Sequence, residues 1–142
     1  MSNHDFDSAV ESYQQALDAF LKGDAGPVSE HFSRRDDVTL ANPLGPPRVG
    51  RADVETAIGQ ASAHFEDGFM RFEEISRYAT DDLGYVVWIE RGEVRLVGTQ
   101  TMAPSSLRVT MIFRREGDTW KVAHRHADPI TSDRPVSIVL ET

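Results

Sequence analysis

Thr110-Met111-Ile112-Phe113-Arg114-Arg115-Glu116-Gly117-Asp118-Thr119-Trp120-Lys121-Val122-Ala123-His124-Arg125-His126 is the stretch that decides how this chain is read. Two runs rich in β-branched and aromatic residues flank Glu116-Gly117-Asp118, which predicts antiparallel strands joined by a tight turn. Working outward, Phe69 to Tyr78, Leu83 to Arg91, Leu107 to Arg115 and Thr119 to Asp128 keep the period of two and read as strands. Tyr85-Val86-Val87-Trp88-Ile89 is apolar on both parities, so it is expected at the centre of its sheet. Gly92-Glu93 is expected to turn a second hairpin, with Val94 to Val97 returning. Gly98 to Ser106, which contains Pro104, is expected to be irregular.

The first third of the chain follows a different period. Phe6, Val10, Tyr13, Leu17, Phe20 and Leu21 form one stripe of an α-helix that Gly23-Asp24 would stop. A short helix fits Pro27 to Phe32, with proline in its first turn. Val38, Leu40 and Asn42 alternate as a short strand, and Pro43-Leu44-Gly45-Pro46-Pro47 must be a loop. A third helix is expected from Ala52 to Phe65, on the stripe Val54, Ile58, Ala61 and Phe65. Helices first and strands last is an α+β order, and a strongly curved sheet over three helices would leave a cavity between the layers. Residues 135–142 are open to three readings: an edge strand, a segment packed on a partner subunit, or a frayed terminus.

Composition limits what the protein can do. The 142 residues suit a single domain, with its core at about 6–130 and a tail at 131–142. Fifteen Lys and Arg against 23 Asp and Glu give a net charge of −8, which argues against a nucleic-acid partner. Cysteine is absent, so disulfides, thiolate metal sites and cysteine nucleophiles are excluded. No apolar run approaches the length of a membrane span and no basic or apolar leader opens the chain, so a cytoplasmic protein with no membrane partner is expected.

These segments together resemble the nuclear-transport-factor-2-like superfamily and, within it, the SnoaL-like proteins. Four stretches carry the resemblance: the Tyr13–Leu21 helix with its Gly23-Asp24 stop, the Val38–Pro43 strand, Val49-Gly50-Arg51-Ala52-Asp53, and the terminal hairpin. The hairpin is also similar to the association domain of calcium/calmodulin-dependent kinase. The resemblance implies a cone-shaped α+β barrel with an interior pocket, usually dimerising through the open face of its sheet. It implies no single activity, because the superfamily spans isomerases, dehydratases, cyclases, assembly domains and transport factors. Against ketosteroid isomerase, Asn42-Pro43 stands where that enzyme has its aspartate base, and an amide cannot abstract a proton. The enzyme's neutral acid falls near Thr110, and its helix tyrosine corresponds to Tyr13 set about one turn further from the stop. Steroid isomerisation is therefore not expected.

Strand parity supplies the remaining candidates. Arg125 with Ala123 and Ala127, opposite Arg108, Thr110 and Ile112, makes a face too polar for a dry core and suited to a ligand pocket. On that reading Arg108 and Arg125 hold a small anion through forked hydrogen bonds. His124 and His126 share the other face with Trp120 and Val122, unless a one-residue bulge exchanges the two faces. Histidine titrates near working pH, so both are acid–base candidates; a lone His-x-His is weak as a metal site, and neither metal nor cofactor is expected. Trp88 and Glu90 share one face of the central strand, where Glu90 either works as an acid–base group or pairs with an arginine. The expected ligand-binding set is thus Asn42, Trp88, Glu90, Arg108, Thr110, Ile112 and Arg125, with His126, His124 and Tyr13 as catalytic candidates. Two functions fit: acid–base chemistry on a hydrophobic or anionic metabolite, as in an isomerase, cyclase or dehydratase, or non-catalytic ligand binding or oligomerisation. A homodimer is expected through an apolar sheet face made of Val109, Met111, Phe113, Trp120 and Val122.

Overall fold

A computed structural model describes residues 4–141, and Met1 to Asn3 and Thr142 lie outside it. Helix α1 (His4–Phe20) buries its apolar stripe, with Phe6, Val10, Tyr13, Leu17 and the following Leu21 all below a tenth exposed. Helix α2 (Gly26–His31) follows at once, with Pro27 in its first turn. Strands β1 (Thr39–Ala41) and β2 (Arg48–Val49) flank the proline-rich loop, and α3 (Arg51–Ser62) completes the helical layer. Arg51 ties that layer together. Its guanidinium donates to the Ser29 and Phe32 carbonyls at 2.9 and 3.1 Å, and so satisfies the C-terminal end of α2.

The long strands β3 (Phe65–Ala79), β4 (Leu83–Leu96), β5 (Ala103–Glu116) and β6 (Thr119–Asp128) make the sheet, in the order β2-β1-β6-β5-β4-β3. Neighbours are antiparallel except β1 and β6, which are parallel. The architecture is α+β, three helices on a six-stranded, mostly antiparallel sheet that curls like a cone without closing.

Three local expectations are corrected. Gly92-Glu93 does not turn: β4 runs through it to Leu96. A β-carbon at Gly92 would collide with the Phe69 carbonyl of β3, so this glycine permits close strand approach rather than a reversal. Strand β5 begins at Ala103 and includes Pro104, which lies beyond the Arg108–Asp128 end of the β6 pairing, where β5 has one partner strand and a missing N–H is tolerated. Helix α3 stops at Ser62, and Phe65 opens β3. In the tail, Val136–Val139 form one exposed 3₁₀ turn, not an edge strand.

The largest correction concerns which face is which. The turn after Glu116 pairs Glu116 with Thr119 and Phe113 with Val122, but Ile112 pairs with His124, so Ala123 is an extra residue in a β-bulge. Without it Thr110 would stand opposite Arg125; with it Met111 does. Trp120 and Val122 before the bulge, and Arg125 and Ala127 after it, therefore all face the helices. Val109, Met111, Phe113, Trp120 and Val122 are core, covered by α1 and its neighbours, and are not the dimer surface. His124, His126, Arg108, Thr110 and Ile112 stand on the outer face of the sheet.

Candidate functional site

The bulge aims Arg125 into the space between sheet and helices, and groups from β1 and the loop after it, β4 and α1 meet it there. Parallel pairing sets Leu40 of β1 beside it, and two residues later Asn42 enters the same space. Glu90, on the central strand β4, takes the guanidinium with both oxygens, at 2.9 Å to Nη1 and 3.3 Å to Nη2. Nη1 also donates to the Tyr13 hydroxyl of α1 at 3.2 Å, and Nε donates to Asn42 Oδ1 at 3.3 Å. Trp88 Nε1 donates to Glu90 Oε1 at 3.1 Å. Glu90 is 1% exposed and Arg125 is 6% exposed, so this is a buried ion pair, with neutral partners on Nε and Nη1 of the arginine and on Oε1 of the glutamate.

The electrostatics follow from that geometry. Burial pushes the Tyr13 hydroxyl up to about 12 against the opposing pull of Arg125, so it remains a phenol at neutral pH. Burial also works against the Arg125 charge, but the Glu90 carboxylate and Tyr13 more than offset it and raise its affinity for the proton. The interior pair sums to zero charge.

Two hollows share Leu40 and Asn42 as walls. The inner one, about 30 Å³, lies among Tyr13, Phe32, Ile58 and Arg125 and has room for about one water. The outer one, about 150 Å³, opens between the proline-rich loop (Leu44, Gly45, Pro46) and α3, with Gln60, His64 and Arg48 on its walls. Arg48 is bridged to Asp53 at 2.9 Å. His64 and Gln60 were not among the sequence candidates. They meet Asn42 only because α3 ends beside the loop, and the run of prolines directly after Asn42 is the one local sign of a stiffened rim.

Of the expected residues, Tyr13, Asn42, Trp88, Glu90 and Arg125 come together. His124, His126, Arg108, Thr110 and Ile112 do not join them, being carried to the other face by the bulge. There Thr39 Oγ1 and His124 Nδ1 hydrogen-bond at 2.8 Å. Asp128 accepts from Arg108 Nε at 2.8 Å and lies 2.9 Å from His126 Nε2. A shallow outer hollow of about 210 Å³ is lined by Val87, Arg108, Thr110, His126 and Asp128. Among the described residues no three side chains form a metal-ligating group, and no helix is long and apolar enough to cross a membrane.

These outer groups set a pH dependence. Partial burial and then the neighbouring His126 lower the proton affinity of His124 below its ordinary 6.5. The folded protein thus binds this proton less readily than the unfolded chain, and acidification favours unfolding. Stability is expected to fall as pH drops through 6.5 and to stop falling from this cause at the lower folded value, with a flatter profile in His124→Gln; urea titrations across that range measure it. For Asp128, burial alone would raise the carboxyl, but the Ile130 N–H, Arg108 and His126 hold it below 3.8. Its stabilisation is present above that value and is lost as pH falls through the folded one.

A solved ketosteroid isomerase-like protein from Erwinia carotovora shares 19% identity at a TM-score of 0.74, over 91% of this chain and 96% of that one. A candidate dehydratase of the NTF2-like family from Streptomyces avermitilis shares 21% identity at a TM-score of 0.75, again over 91% and 96%. A candidate calcium/calmodulin-dependent kinase type II association domain from Thiobacillus denitrificans shares 22% at 0.69, over 88% and 94%. At such identities the likeness is one of fold. No curated protein matches. The family model for the SnoaL-like domain matches residues 10–131, from α1 to just past β6, and the chain belongs to the SnoaL-like family of the NTF2-like fold.

Proposed function

We propose that this protein binds a small, uncharged metabolite in the outer hollow, with Asn42 as its floor. The observation that carries this reading is Asn42 itself: it walls both hollows and is tied from behind to a buried ion pair. A volume of about 150 Å³ is below the roughly 300 Å³ at which drug-sized pockets begin, which favours a small ligand or one end of a longer one. Charge argues for a neutral ligand over an anion, because Arg125 is neutralised by Glu90, Arg48 by Asp53, and Arg108 faces outward. Acid–base chemistry by His124 or His126 inside the cone loses its support, since both lie across the sheet. Catalysis is the second reading, favoured by His64 on the wall of the hollow and by the naming of one fold neighbour as a candidate dehydratase.

The test is a thermal-shift screen of small neutral carbonyl and hydroxyl compounds against carboxylates and phosphates at fixed ionic strength. Stabilisation by neutral compounds that is lost in Asn42→Leu is expected. Stabilisation by anions alone would sink the neutral-ligand reading. Turnover of a stabilising compound that vanishes in His64→Ala would move the assignment to the catalytic reading.

A homodimer through the outer sheet face belongs to the same proposal. Tyr78, Tyr85, Val87, Ile89 and Ile112 give that face an apolar centre, and the Arg91–Glu73 and Arg108–Asp128 pairs give it a charged surround. A stable interface needs about 800 Å² from each partner. Light scattering on the native chain is expected to give a dimer and on Ile112→Glu a monomer; a monomeric native chain at micromolar concentration would contradict the assignment.

A further inference from the structure

Arg125 has five N–H donors and no acceptor, so any group that it touches must offer an oxygen or another electron-rich atom. Its Nε donates to Asn42 Oδ1, which dictates how the Asn42 amide is turned: oxygen inward, nitrogen away from the guanidinium. That amide nitrogen has no partner among the described residues and is not sealed from solvent. The Tyr13 hydroxyl, which likewise accepts from Arg125, retains its own proton to donate. The other inner walls are apolar, among them Phe32, Leu40 and Ile58. The free N–H and O–H bonds beside the two hollows are therefore donors, and the oxygens that carry or neighbour them already accept from Arg125.

We propose that Arg125 is a positioning residue that locks Asn42 as a hydrogen-bond donor, so that the site selects an uncharged ligand through a carbonyl oxygen, as in a ketone, lactone or amide. This rests on the reading of the outer hollow as the ligand site and adds the polarity of its recognition. A ligand presenting only a protonated amine to Asn42 would set donor against donor and leave both N–H groups unpaired as water is displaced, which is the costly arrangement. A hydroxyl presents its lone pairs to the Asn42 amide, but at that point it finds no free acceptor for its own proton, because Asn42 Oδ1 already accepts from Arg125; the acceptors of Gln60 and His64 stand on other walls of the hollow, so an alcohol placed on Asn42 binds less well than a carbonyl of the same shape.

The experiment compares cyclohexanone, cyclohexanol and cyclohexylamine, three probes of one shape, in titrations of ¹⁵N-labelled protein that follow backbone amides and the Asn42 side-chain NH₂ pair. Cyclohexanone is expected to shift the Asn42 side-chain signals and to bind about tenfold tighter than cyclohexanol, the weight of one hydrogen bond. Cyclohexylamine is expected not to bind. Asn42→Asp replaces the donor by an acceptor that Arg125 also satisfies, and is expected to abolish the preference for the ketone while leaving the fold intact. Arg125→Lys provides a second variant: a compact ammonium held by Glu90 lacks the guanidinium fork that also reaches Asn42 and no longer fixes the amide, and the ketone-to-alcohol ratio should fall toward one even where overall stability is retained. A merely structural role would leave that ratio unchanged.

Equal binding of ketone and alcohol within residues 40–48 and 57–64, or an undiminished ketone preference in Asn42→Asp, would overturn the donor assignment while leaving the pocket reading standing. If none of the three probes perturbs those residues, the pocket reading fails and the inference with it.

Discussion

Arg125→Met is expected to lose about 3–5 kcal/mol of folding stability, the range seen when one partner of a buried ion pair is removed. The physical reason is asymmetry. Arg125 and Glu90 hold each other at 2.9 Å with almost no solvent access, and taking the cation away leaves a carboxylate that Trp88 Nε1 alone cannot satisfy. The double variant Arg125→Met/Glu90→Leu is expected to be much less damaged, because it removes both charges and keeps apolar volume. Urea titration of the wild type, the two single variants and the double variant gives the coupling. Losses that simply add would mean that the pair does not act as a unit. Asn42 depends on this pair for its orientation, so the loss should extend to ligand selectivity.

Trp88→Ala is expected to be about as damaging, at about 3–5 kcal/mol, since a large buried side chain leaves a cavity that its neighbours only partly fill. Trp88 is wholly buried, with the Phe72 ring 5.3 Å away edge-on and the Tyr13 ring 6.4 Å away. The indole also supplies the N–H on Glu90. Trp88→Phe separates these roles, keeping most of the volume and removing the donor; about 1–3 kcal/mol is expected for it, the cost of an unmet bond to a buried acceptor. Thermal and urea unfolding measure both. Equal losses in the two variants would place the contribution of Trp88 in its hydrogen bond rather than in its packing.

Much of the fold was legible because its periodicities are local. The steps from Phe6 through Val10, Tyr13 and Leu17 to Leu21 leave little choice but a helix with one buried face, and Glu116-Gly117-Asp118 marks a hairpin by turn chemistry. Trp88 and Glu90 follow parity on a strand with no register shift against β5, and the structure places them together, facing inward. The site was only half legible, because one extra residue at Ala123 has no sequence signature. Alanine is neither a glycine nor a turn former, and the alternation on either side of it looks unbroken. That single bulge moved Met111 into the place where parity puts Thr110, and sent Trp120 and Val122 inward. A one-residue slip reverses every side chain beyond it, so Arg108, Thr110 and Ile112 were lost from the pocket together. Gly92 misled for a related reason: a glycine that reverses the chain and a glycine that lets two strands approach look the same in sequence.

Ligands are expected to enter between the Leu44–Pro46 loop and α3 and to be met there by the Asn42 amide. A crystal structure of the protein soaked in a mixture of small neutral ketones, lactones and alcohols tests it most directly. The account predicts ordered density in the outer hollow, a carbonyl oxygen at hydrogen-bonding distance from Asn42 Nδ2, and an undisturbed Arg125–Glu90 pair behind it. Density instead among Arg108, Thr110, His126 and Asp128 on the outer face of the sheet, with the hollow over Asn42 empty, would contradict it.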